Sequence, residues 1–61
     1  MTDEEIEEIG DLTREAATLA HDIAPALVQL GRRALDGDER ALAALWAARD
    51  ALQRVRDRVT P

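Results

Sequence analysis

Apolar residues recur every three or four positions along almost the whole chain. In the first half the larger ones fall at positions 6, 9, 12, 16, 19, 23, 27, 30 and 34. This spacing is typical of one face of an amphipathic α-helix, and the Ala, Leu, Glu and Arg that dominate the chain favour helices. The pattern predicts a first helix over 3–35, with Thr2 as its N-cap and Glu5 completing a capping box.

The residues after this stripe predict the end of the first helix and the start of a second one. Gly37 can adopt the left-handed conformation that ends a helix, and Asp38 can cap the next one. A second apolar stripe with the same spacing predicts a helix over 39–59, which Thr60 and Pro61 end. The chain is therefore predicted to be one small all-α domain over 1–61, a helical hairpin with a turn at 36–38.

Pro25 lies inside the first predicted helix. A proline there removes a backbone donor and clashes with the carbonyl group of His21. The helix can kink near Pro25 and continue, which the unbroken apolar stripe favours. Alternatively a new helix begins near Asp22, with the proline in its first turn. The alternative fold is a three-helix bundle, whose first and third helices run parallel with charges that do not complement along their lengths.

Charge separation along the chain suggests a partner for the hairpin. Residues 1–31 hold eight acids and one arginine, a net charge of −7, whereas residues 32–61 hold five acids and seven arginines, a net charge of +2. In the kinked hairpin the segment 3–14 projects beyond the second helix by roughly 18 Å. A second copy would cover it, with Arg54, Arg56 and Arg58 against the acids. We therefore expect a homodimer that forms a four-helix bundle.

The expected interface consists of the large apolar side chains of both stripes. It comprises Ile6, Ile9, Leu12, Leu19, Ile23, Leu27, Leu30, Leu42, Leu45, Trp46, Leu52 and Val55.

Composition excludes several classes of function. The chain has no Cys and one His, so it offers no disulfide, no thiol nucleophile and no metal-ligand cluster. A net charge of −5 disfavours nucleic acids and anionic membranes as partners, and no apolar run is long enough to span a bilayer. The acidic N-terminal segment is unlike a signal peptide. We expect a cytoplasmic, non-enzymatic protein without a cofactor, and the absence of Lys suggests a GC-rich bacterial or phage genome.

His21 is the one residue that suggests chemistry. The segment from Leu19 to Leu27 resembles the phosphoacceptor segment of sensor histidine kinases, in which a His is followed by an acid, an aliphatic residue, a helix-kinking Pro and a Leu. Here Pro25 follows His21 by four residues, where the family usually has five. The resemblance implies a dimeric helical hairpin in which His21 accepts a phosphoryl group with help from Asp22. A separate kinase would supply that group.

The turn resembles another family. The segment from Leu35 to Glu39 is similar to the turn of the Rop family of plasmid copy-control proteins, which are short hairpins that dimerise into four-helix bundles. The likeness implies that fold. It does not imply RNA binding, because Rop binds RNA through a basic first helix and this first helix is acidic.

Trp46 and the acidic run lead to the functional expectation. Trp46 lies at the edge of the second stripe, near Leu42 and Arg49, where it either completes the core or anchors another protein. Leu42 and Val28 could extend such a patch. The acids could mimic a nucleic acid and occupy a basic groove of a target. We expect a protein–protein interaction module that self-associates and binds or regulates another protein. The alternatives are a phosphotransfer module and an acidic inhibitor.

Overall fold

The computed structural model describes residues 1–59, which form three α-helices joined by two short connections. The helices are α1 (Asp3–Leu19), α2 (Ala24–Leu35) and α3 (Glu39–Val59), with a 3-10 turn (His21–Ile23) between α1 and α2. The all-α prediction is confirmed for this part of the chain. Thr60 and Pro61, the predicted end of the last helix, lie outside the described residues.

The predicted N-cap of α1 is present. The Thr2 hydroxyl accepts a hydrogen bond from the Glu5 backbone N–H at 3.2 Å and donates to the Glu5 carboxylate at 3.3 Å. The capping box is therefore closed through the two side chains. Three acids in the first turn also favour the positive end of the helix dipole.

The predicted single helix over 3–35 is wrong. The chain leaves the helical conformation at Ala20, where φ is −132° and ψ is 71°, and the next helix starts at Ala24 with Pro25 in its first turn. The missing N–H of a proline is harmless in a first turn, because those N–H groups have no partner within the helix. In a helix interior the same residue costs about 3 kcal/mol. A break before Pro25 avoids that cost.

The predicted turn at 36–38 is confirmed. Gly37 has a positive φ of 97°, and the N–H groups of Gly37 and Asp38 donate to the carbonyl groups of Ala34 and Arg33 at 3.1 and 3.0 Å. These two bonds form a Schellman motif, the usual way to end a helix at glycine. Asp38 then caps α3 through its side chain, which accepts from the backbone N–H groups of residues 40 and 41 at 3.0 and 3.2 Å.

The three helices pack against one another around a single small core. Its buried members are Ile9, Leu12, Ala16, Leu27, Ala34, Ala41 and Leu45. The fold is thus the three-helix bundle that the sequence left as the alternative, with α2 antiparallel to α1 and α3 parallel to it. The expected projection of 3–14 does not occur, because α3 of the same chain covers Ile9 and Leu12.

The helices α1 and α2 approach each other closely at Gly31. A Cβ atom built there would lie 2.8 Å from Cγ2 of Thr13 and still nearer to its hydroxyl oxygen. The Thr13 hydroxyl donates to the Ile9 carbonyl at 2.7 Å, which holds the side chain in place. Glycine at 31 therefore permits this helix spacing.

Candidate protein-binding groove

The twelve predicted interface residues divide into three groups in the structure. Four lie in the chain's own core: Ile9, Leu12, Leu27 and Leu45. Four are half-buried: Leu19, Leu30, Leu42 and Leu52. Four are exposed: Ile6, Ile23, Trp46 and Val55. Only the exposed group is fully available to another molecule.

An open groove runs between α1 and the first half of α3. We call it the acidic groove; its lining comprises Thr2, Glu4, Glu5, Glu7, Glu8, Asp11, Leu12, Glu15, Trp46 and Arg49. Six of these side chains are carboxylic acids and one is an arginine, which gives a net charge of −5 in the groove (six negative, one positive). The groove thus concentrates negative charge beside an exposed tryptophan.

The acids of the groove lie on one short stretch of α1. Glu4 and Glu8, Glu7 and Asp11, and Asp11 and Glu15 are each four residues apart, so they are neighbours on the helix surface. Each like-charged pair at this spacing destabilises a helix by about 0.2–0.5 kcal/mol. The parallel packing of α1 and α3 offsets little of this repulsion. Within residues 1–59 one ion pair joins two helices, and it connects Arg49 to Glu15 at 3.5 Å.

Arg49 organises the α3 side of the groove. Its guanidinium carbon lies 5.1 Å from the centre of the Trp46 ring, a cation–π geometry worth about 0.5–1 kcal/mol, and its Nη1 donates to Gln53 at 2.9 Å. Its Nε is buried without a hydrogen bond; Asp50, at 3.6 Å, contributes electrostatic attraction only. The contacts with Gln53 and Asp50 hold the guanidinium group of Arg49 over the indole ring of Trp46.

A small apolar pocket lies at the base of the groove. Ile9, Leu12, Leu42 and Trp46 line it together with two glutamates. Its volume is about 80 Å³, whereas small-molecule and cofactor sites occupy about 300–1,000 Å³. The pocket therefore suits a single side chain of a partner. Leu42 lines this pocket beside Trp46, whereas Val28 lies on α2, which contributes no residue to the groove or to the pocket.

His21 and Asp22 lie elsewhere, in the 3-10 turn between α1 and α2. Both side chains are exposed. The kinase-like segment implied a phosphoacceptor on one long helix, and the break at 20–23 places it on a connection instead.

No group of three or more His, Cys, Asp or Glu side chains in the described part of the chain is arranged to hold a metal ion. Within the same residues no helix is both long and apolar enough to cross a bilayer.

Comparisons with family models, curated proteins and solved structures give no match to this chain.

Proposed function

We propose that the chain is a non-enzymatic protein-binding module whose acidic groove receives a positively charged segment of another protein. The observation that carries the proposal is the placement of six carboxylates and one arginine around an exposed tryptophan. Like charges on α1 destabilise the free protein, and a cationic partner would relieve that repulsion.

The groove offers two kinds of contact. The carboxylates attract and orient arginine or lysine side chains over distances set by the ionic strength. Trp46, with 37% of its surface exposed, and the adjoining pocket would take one apolar side chain of the partner, since tryptophan is enriched among residues that dominate binding energy. A module of this kind regulates its target by occupying a basic surface, as an acidic inhibitor does.

Trp46 provides the assay, because it is the only tryptophan in the chain. The probe is an arginine-rich amphipathic helical peptide with a leucine face, compared with a scrambled peptide of equal charge. Binding should shift Trp46 emission to shorter wavelengths and should weaken steeply as salt is added. Equal affinity for both peptides, or binding that salt does not affect, would refute the proposal.

A matched pair of variants separates the groove from overall charge. Glu8→Gln with Asp11→Asn removes two charges inside the groove, and Asp36→Asn with Asp57→Asn removes two charges outside it. We expect the first pair to weaken peptide binding about tenfold, since two exposed charged contacts of about 0.7 kcal/mol each amount to about 1.4 kcal/mol, a tenfold change in affinity. The second pair should change affinity less than twofold. Equal losses in both would mean that only net charge matters.

Histidine phosphotransfer at His21 stands as the alternative function. The exposure of His21 and Asp22 favours it, because a phosphoacceptor must be accessible to its kinase. An acid-labile radiolabel transferred from a histidine kinase and lost in His21→Gln would support this alternative. Absence of label with any cognate kinase would dismiss it.

A further inference from the structure

A second exposed surface lies on the opposite side of α1 from the acidic groove. Three of the large exposed aliphatic side chains occur there, Ile6 on α1 and Val28 and Leu35 on α2, with 44%, 39% and 40% of their surfaces exposed. We call it the α1/α2 face. None of the three lines the groove.

Helical spacing places these residues together. Thr13 and Gly31 mark the line where α1 and α2 meet. Ile6 lies seven residues before Thr13, and Val28 and Leu35 lie three before and four after Gly31, so each shares a helix face with its contact residue. The two rows therefore form one continuous surface along the α1–α2 junction.

Gly10 leaves open space on this surface. It lies between Ile6 and Thr13 in the α1 row, and a Cβ atom built on it would meet no atom within 4 Å beyond its chain neighbours and the backbone of its own helix. An aliphatic side chain from another molecule can therefore sit against the backbone at Gly10, between Ile6 and the α2 row.

Charges along its border distinguish this face from the groove. Asp3 is three residues before Ile6 and Glu7 is three before Gly10, while Arg14 is four after Gly10 and Arg32 is four after Val28. Two acids and two arginines are therefore neighbours of the aliphatic rows. Both signs are thus present at the edges, in a chain whose net charge is −5. Two copies can meet here with opposite charges opposed, whereas two acidic grooves would repel each other.

We propose that the α1/α2 face is a self-association surface, on which two copies of this chain pack face to face about a two-fold axis. The 12 residues of α2 limit the face to about 18 Å in length, and two helix diameters give about 20 Å in width. About 400 Å² is then covered on each copy, half of the roughly 800 Å² of a standard interface. The dimer is weak and forms in the micromolar to millimolar range.

Sedimentation equilibrium across that concentration range tests the proposal. Val28→Gln with Leu35→Gln should raise the dimer dissociation constant at least tenfold without changing net charge. The control is Val55→Gln with Val59→Gln, which makes the same polar change on the exposed end of α3 and should leave the constant unchanged. Ile6→Gln provides an independent variant on the other helix, and far-UV circular dichroism verifies that each variant is folded.

The effect of ionic strength on association distinguishes this dimer from the homodimer expected from the separation of acidic and basic residues along the chain. Added salt screens the repulsion between two copies of charge −5 as well as the attraction between the border charges, so association that depends on burying the aliphatic side chains of the α1/α2 face should hold. A dimer that pairs the acids of α1 with Arg54, Arg56 and Arg58 should dissociate instead. A monomer at every concentration, a dimer unaffected by the Val28 and Leu35 changes, or one lost in salt would overturn the proposal. The outcome is independent of peptide binding at Trp46, which lies on the other side of α1.

Discussion

The three glycines of this chain occupy three different environments, so replacing each with alanine tests the helix packing directly. Gly10 lies within α1 with open space around it, Gly31 faces Thr13 across the α1–α2 junction, and Gly37 has a positive φ of 97°. Alanine in place of glycine stabilises a helix interior by about 0.8–1.0 kcal/mol through propensity alone. Gly10→Ala should show that gain, measured as the free energy of unfolding in urea by far-UV circular dichroism.

Gly31→Ala gains the same propensity but adds a methyl group where none fits. Its Cβ would lie 2.8 Å from Cγ2 of Thr13, and overpacking of this kind costs about 1–3 kcal/mol. The difference in unfolding free energy between the Gly31→Ala and Gly10→Ala proteins cancels the propensity term. We therefore expect Gly31→Ala to be less stable than Gly10→Ala by about 1–3 kcal/mol.

Thr13→Ala supplies the control for this mechanism. It removes the hydroxyl and methyl groups that the new side chain would strike, leaving the Thr13 Cβ at 3.1 Å. In the Gly31→Ala background it should recover at least half of the loss, with a coupling energy of about 1 kcal/mol between the two sites. If Gly31→Ala stabilises as much as Gly10→Ala, the helices do not approach closely at Thr13 and the packing argument fails.

The remaining predictions concern the connections and Arg49. Gly37→Ala should lower the free energy of unfolding by about 1–2 kcal/mol, because a left-handed backbone is strained for alanine; an unchanged urea midpoint would contradict the turn geometry. Asp38→Ala should lower the free energy of unfolding by about 1 kcal/mol by removing the cap of α3, whereas Asp38→Asn should retain most of that stability in the same assay, since Asn also caps helices. Pro25→Ala should leave a three-helix fold at low concentration, since packing of the helices also stabilises the break at 20–23. A large gain in helical ellipticity together with dimerisation would show that the proline alone causes the break. Arg49→Ala should cost about 1–2 kcal/mol through lost stacking and stem packing and should shift Trp46 emission to longer wavelengths, whereas unchanged emission would argue against the stacked geometry.

The helix ends that are set by hydrogen bonds between residues close in sequence could be predicted from the sequence. Thr2, Gly37 and Asp38 each act through hydrogen bonds to groups at most five residues away, so the start of α1 and the turn at 36–38 follow from sequence alone. The last helix also begins at Glu39, as predicted. Such signals require no knowledge of what the helix packs against.

The break at 20–23 did not follow from the sequence, for a physical reason. The apolar stripe passes through Leu19, Ile23 and Leu27 without interruption. A break of a few residues between two helices therefore leaves the apolar residues on its two sides at nearly the spacing of one continuous helix. Pro25 is compatible with a kink and with a first turn. The exposure of Ile23, at 50%, shows that it does not continue the buried face. Whether the helix continues past Ala20 or the chain reverses its direction there depends on which residues bury Ile9 and Leu12. That is decided by the packing of the whole fold.

The candidate groove depends on that same reversal. The acids of α1 and the edge position of Trp46 are visible in the sequence, but they come together only if α3 runs parallel to α1. Parallel packing brings the arginine-poor first half of α3 beside the acidic first half of α1, so Arg49 meets Glu15 and most of the other acids are left without a cation. An antiparallel arrangement would have placed Arg54, Arg56 and Arg58 against them and neutralised the surface. The fold that buries Ile9 and Leu12 within one chain is therefore also the fold that leaves most of these acids without a cation from residues 1–59, which is the condition that the proposed cationic partner would relieve.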